Sequence, residues 1–140
     1  MSTVLWANQL ANGEVVGENE DYYALYKHGK RIDAICKELK LKTLTSFCDF
    51  TDVKFNNDEI ELPPGATSTN DVMKVSGVWI DGSEAHEILA RVLQYVRERS
   101  PRFGLLKNEV ADVVAELEAS VKFAEAAKRA NAKFNFSVVQ

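Results

Sequence analysis

The chain has 140 residues, 46% of them hydrophobic and 27% charged, with a net charge of -4. These are the proportions of a globular protein able to bury a real core as one domain, residues 1–140. No apolar run approaches the ~20 residues that cross a bilayer. The opening Met-Ser-Thr-Val-Leu-Trp lacks the basic-then-apolar order of a secretion signal, so a cytoplasmic protein with no membrane contact is expected.

The charge is uneven. Residues 1–70 hold seven Lys/Arg against eleven Asp/Glu, and residues 71–140 hold ten of each. A mild acidic excess disfavours general nucleic-acid binding, which needs a concentrated positive surface. Cys36 and Cys48 fit neither a CxxC redox motif nor a zinc knuckle, and read as two reduced, buried, small hydrophobes.

In chain order, Thr3–Leu10 reads as a short strand ended by Ala11-Asn12-Gly13. A helix follows over about Asn19–Leu39, capped by Asn19. Leu25, Ile32, Cys36 and Leu39 share its inner face, and Gly29 marks either a close approach or a break. Leu44 and Phe47 suggest one further helical turn. Val53 with Phe55, and Ile60 with Leu62, alternate with polar residues and predict two short strands joined by a turn at Asn56-Asn57-Asp58. Pro63-Pro64-Gly65 and the Thr/Ser/Asn run after it have loop composition, which makes 56–77 an irregular region.

Val72–Ile80 predicts another strand, interrupted at Ser76-Gly77. Asp81-Gly82-Ser83-Glu84 has the form of a capping box and opens a helix whose buried stripe is Ala85, Ile88, Leu89, Val92 and Val96. From Leu105 a last long helix carries Leu106, Val110, Val113, Val114, Leu117, Val121 and Ala124 on one stripe. After Ala132 the period changes to two, with Phe134, Phe136 and Val138 on one side. That closing strand is the natural partner of the first. The resulting expectation is α+β: three helices packed on a small, mainly antiparallel sheet that pairs the N- and C-terminal strands. The alternative is a three-helix bundle with a terminal two-stranded clip.

No GxSxG, P-loop, GxGxxG or HExxH is present, and no nucleophile has obvious partners. An enzyme is therefore not the first expectation, and neither cofactor nor metal is implied. A metal set of His28, Asp33, Cys36 and His86 lacks helical ligand spacing. No stretch resembles a named family at the level of a motif, although the size and layout suit the small proteins of bacteria.

Three sets of residues stand out. Tyr23, Lys27, Lys30 and Arg31 place an aromatic ring beside positive charge on the outer side of the first helix, suited to an acidic protein or, less readily, a short RNA. Leu105, Ala115, Ala119, Phe123 and Ala126 lie opposite the valine stripe of the last helix and are candidates for a homodimer face. Trp79, Asp81 and His86 sit at a strand-to-helix junction, where ligand pockets often form. The first expectation is a protein-binding module: a regulator, an adaptor or a neutralising, immunity-type partner. If it neutralises a basic enzyme, Asp52, Asp58 and Glu59 are the expected contacts. A ligand or catalytic pocket at Trp79, Asp81 and His86, and weak RNA binding by the first helix, are the alternatives.

Overall fold

Lys133–Val139 (β5) runs through the middle of the sheet, and Val4–Ala11 (β1) lies antiparallel beside it. Their register runs from Val4 opposite Val139 to Leu10 opposite Lys133, so the two ends of the chain tie one another down. The computed structural model describes residues 2–18, 20–57 and 60–140. Alternation along β5 turns Phe134, Phe136 and Val138 to one face, where Ala7 and Leu5 lie across from them. There the aromatic rings gather. Phe134 and Phe136 meet edge-on with centroids 5.1 Å apart, and Phe47 stacks on Phe136 at 5.9 Å. Each fully buried ring of this kind contributes about 1.5–3 kcal/mol through its area alone.

The chain leaves β1 through Asn12-Gly13, both at positive φ, and returns as Glu14–Gly17 (β2). Asn-Gly suits the tight hairpin turn whose twist matches its strands. β2 was not foreseen, because Asn12-Gly13 read only as the end of a strand. The other edge of β5 is shared by two short pieces. Ile80–Asp81 (β4) pairs antiparallel with Phe134 and Lys133, while Cys48–Asp49 (β3) pairs parallel with Phe136 and Ser137. The result is a five-stranded, mainly antiparallel sheet in an α+β fold.

The predicted first helix is two helices. Tyr23–Lys27 (α1) and Gly29–Glu38 (α2) meet at His28, whose φ of -103° and ψ of 22° break the run. Asn19, the expected cap, lies outside the described residues. The N–H groups of Ala24 and Leu25 at the head of α1 are held instead by the carboxylate of Glu116. A 3-10 turn, Leu44–Phe47, supplies the helical turn expected there.

The middle of the chain differs most from expectation. Val53 and Phe55 lie on a helix, Thr51–Asn57 (α3), and not on a strand. Asp49 starts that helix, since its Oδ1 accepts the Thr51 N–H at 3.0 Å. Ile60 and Leu62 belong to no strand, and Asp58, the last residue of the predicted turn, is outside the described residues. Val72 and its neighbours likewise form a helix, Thr69–Ser76 (α4), rather than a strand. Asp71 Oδ2 takes both the N–H and the hydroxyl of Thr67, closing the turn that leads into it. α3 and α4 cover the second face of the sheet, where Asn135 donates to Val78 O and the Ser137 hydroxyl meets Met73 Sδ.

Gly82–Arg99 (α5) and Val110–Arg129 (α6) pack over the phenylalanine face. Asp81 sits at the N-cap position of α5 but does not cap it, because its carboxylate pairs with Lys133 Nζ at 2.6 Å. Gly82 lets the head of α5 touch the tail of α6: a Cβ there would lie 2.8 Å from backbone atoms of Ala127 and Ala132. α6 begins five residues later than predicted. Asn108 Oδ1 accepts the N–H groups of Val110 and Phe103, which closes a loop and leaves Leu105 and Leu106 fully exposed outside the helix. Leu106 is therefore not part of the buried stripe. No helix among the described residues is long and apolar enough to cross a membrane.

Candidate functional site

The break at His28 does more than bend a helix. It places the last turn of α1 and the first turn of α2 over the ends of β1 and β5, and beside the 3-10 turn. Between them lies a groove of about 480 Å³. Its floor is Leu5, Leu25, Leu44, Cys48 and Val138, brought from four separate stretches of chain. Tyr26 and Phe50 stand at its edges, 43% and 57% exposed. Lys27, Lys30 and Arg31 line it as well.

Those cations are not equivalent. Lys27 is held by Glu109 at 2.6 Å, and its ammonium lies 5.9 Å from the Tyr23 ring centroid. The same Glu109 oxygen is 3.2 Å from His28 Nε2, and Lys27 first, then His28, holds the Glu109 carboxyl below its usual range. Lys30 and Arg31 have no ion-pair partner among the described residues. Tyr23 is exposed but does not line the groove. Three of the four residues singled out on the first helix therefore line one apolar depression, two of them without an ion-pair partner among the described residues.

Burial is the first reason that the thiol of Cys48 is pushed up to about 12 and that of Cys36 to about 11. Both are neutral near pH 7 and behave as the small hydrophobes expected.

Of the acidic set, Asp52 is the one member among the described residues. Asp52 is half-buried and engaged, accepting from Thr69 Oγ1 at 2.9 Å and from Asn56 Nδ2 at 3.1 Å. Asp58 and Glu59 lie outside the described residues. Of the possible dimer face, Leu105 is on the loop and not the helix, while Ala115 and Ala126 are exposed. Ala119 is half-buried, and Phe123 packs edge-on against Phe134 at 6.1 Å within its own chain. Asp81 and His86 share an open, polar depression with Glu84, Glu87 and Arg91. Trp79 does not line it, since its indole N–H is turned to Met73 O at 2.9 Å.

The groove residues that sequence reasoning missed are Tyr26 and Phe50, with the floor beneath them. Tyr26 sits between Leu25 and Lys27, and the break that Gly29 allowed for gives no sign of which side of the helix forms a groove. Phe50 closed an apolar stretch that gave no hint of facing solvent. No protein-family model matches this chain, and no curated protein or solved structure matches it either.

Proposed function

We propose that the protein is a non-enzymatic binding module that takes a short, acidic, amphipathic segment of another protein into the groove at the α1–α2 break. One observation carries the reading. Tyr26 and Phe50 flank an apolar floor, while Lys30 and Arg31 beside them lack acidic partners among the described residues. Large exposed aromatics around a depression are what anchor residues of a partner fill, and fixed positive charge selects the sign of that partner. The cytoplasmic location of both partners belongs to the same reading and rests on the sequence.

Peptides of random sequence displayed on phage provide the test. Selection on the wild-type protein, with counter-selection on Lys30→Glu/Arg31→Glu, should enrich segments in which Asp or Glu accompanies Leu, Ile or Phe. Synthesised, such a peptide should bind the wild type and lose about tenfold or more in affinity against Phe50→Asp. An unenriched pool, or binding indifferent to both variants, would overturn the proposal. Selective binding of an RNA oligomer in place of peptides would move the function to the outer side of the first helix.

A further inference from the structure

The turn between α5 and α6 holds two adjacent leucines out in solvent. Leu105 and Leu106 are 95% and 102% exposed, the most exposed large apolar side chains among the described residues. Scattered apolar residues on a surface need no explanation, but a neighbouring pair at full exposure on a built loop does. The loop is built. Phe103 roots it in the core, its ring edge-on to His28 with centroids 5.4 Å apart. Phe103 O accepts the Glu109 N–H at 2.7 Å, which ties the two ends together. Asn108 Oδ1 accepts the Phe103 N–H at 3.0 Å. Arg102 folds back over the turn, its Nε donating to Gly104 O at 2.8 Å and its Nη2 to Leu105 O at 2.9 Å.

Two features select what such a tip meets. The first is charge. Residues 100–108 contain Arg102 and Lys107, both exposed, and no Asp or Glu. Glu109, which closes the loop, is paired with Lys27 at 2.6 Å. The leucines are therefore flanked by positive charge, although the chain as a whole carries -4. Lys and Arg beside an apolar tip suit a surface of negative sign. Arg102 spends two N–H groups on the loop, and a guanidinium has five, so others can reach a phosphate. The second feature is hydrogen bonding. The Gly104 and Leu105 carbonyls are already satisfied by Arg102, so the leucines can leave water without stranding these acceptors. A pocket in a partner protein could supply such bonds itself, whereas lipid hydrocarbon cannot.

We infer that the α5–α6 turn is a shallow contact with an anionic lipid surface, Leu105 and Leu106 entering the interface and Arg102 and Lys107 meeting the headgroups. The expectation of no membrane contact rests on the absence of a spanning run, and a loop that enters only the interface needs none. The contact is separate from the peptide groove and does not depend on it.

The test is sedimentation of the protein with vesicles of phosphatidylserine and phosphatidylcholine in equal parts, and in parallel with phosphatidylcholine alone. The wild type should pellet with the acidic vesicles and bind the neutral ones at least about tenfold more weakly. Leu105→Asn/Leu106→Asn keeps the charge and removes the apolar tip. It should lose about tenfold or more in affinity for acidic vesicles at an unchanged melting temperature. Lys107→Glu should weaken the binding by about fivefold or more. Wild-type protein that stays in the supernatant up to roughly 5 mM lipid would overturn the inference and leave the leucines to a protein partner. So would equal binding to the two lipids, or unchanged binding by a folded double-asparagine variant. If that variant does not fold, Lys107→Glu and the comparison of the two lipids on the wild type still decide.

Discussion

Glu116 Oε1 accepts the backbone N–H of Leu25 at 3.0 Å, and its other oxygen accepts that of Ala24 at 3.1 Å. Tyr22, at the N-cap position of α1, makes no side-chain capping bond, and a residue 91 positions away on α6 holds these N–H groups. This one carboxylate fixes the angle at which α1 crosses the sheet, and with it the position of Leu25 and Tyr26 in the groove. Glu116→Ala should cost about 1–2 kcal/mol and remove hydrogen-exchange protection at Ala24 and Leu25. It should also weaken acidic-peptide binding, although Glu116 does not line the groove. Undiminished protection at both amides would show that the cap is dispensable.

The same carboxyl has a pH signature. Burial raises its pKa, against the lowering effect of the two N–H groups. A carboxyl raised on folding binds its proton more readily in the folded protein. Its contribution to stability is therefore present below the unfolded value and lost as pH rises through the folded one. Glu116→Gln, which cannot ionise, should flatten that part of the stability curve just above the ordinary carboxyl range. Urea melts of both proteins across that range measure it. Parallel curves would mean that the group titrates as it does in the unfolded chain.

Gly82 tests the packing of α5 on α6. A methyl group there meets backbone atoms of Ala127, Lys128 and Ala132 at 2.8 to 2.9 Å, and backbone cannot move aside as a flexible side chain can. Gly82→Ala should destabilise the protein by about 2–4 kcal/mol despite the better helix propensity of alanine. Gly65→Ala makes a useful contrast, because nothing lies within 4 Å of its added Cβ and any loss comes from its φ of 90°. A thermal melt of Gly82→Ala that matches wild type would mean that the two helices separate at little cost.

The pairing of the chain ends was legible because Phe134, Phe136 and Val138 alternate cleanly and a sheet needs a partner. The middle was not, for a physical reason. α3 and α4 are short, seven and eight residues, too few turns for a helical period to stand out from an alternating one. Their places are fixed by Asp49, which is buried and accepts N–H groups from Thr51 and, 29 residues on, from Val78. An acid acting at that distance leaves no periodic trace. The groove was half-legible for the same reason. Lys27, Lys30 and Arg31 are close in sequence, but Leu5, Leu44, Cys48 and Val138 join them only through the sheet.

Phe123 is one of the five dimer-face candidates, and its place against Phe134 supplies it a partner inside the chain. Phe123→Asp would then damage the core and confuse a test of assembly. Ala115→Glu and Ala126→Glu are cleaner, because both positions are exposed. We expect light scattering to give the wild type a mass near 15.6 kDa, and both variants the same mass and thermal stability. A doubled wild-type mass that either substitution halves would make the alanine face an interface after all.

The thiols allow the groove to be watched directly. Reaction with a disulfide reagent requires thiolate, and burial raises Cys48 to about 12 and Cys36 to about 11. At pH 8 the thiolate fraction is then roughly one in a thousand for Cys36 and one in ten thousand for Cys48. Both should react far more slowly in the native protein than in guanidinium chloride, and speed up by about tenfold per pH unit while deprotonation limits the rate. The two differ in one respect: Cys48 lies in the groove floor and Cys36 does not. Saturating acidic peptide should therefore slow the labelling of Cys48 more than that of Cys36, with mass spectrometry of tryptic fragments separating the two. Equal protection of both would indicate general stiffening of the fold, and protection of neither would place the peptide elsewhere on the surface.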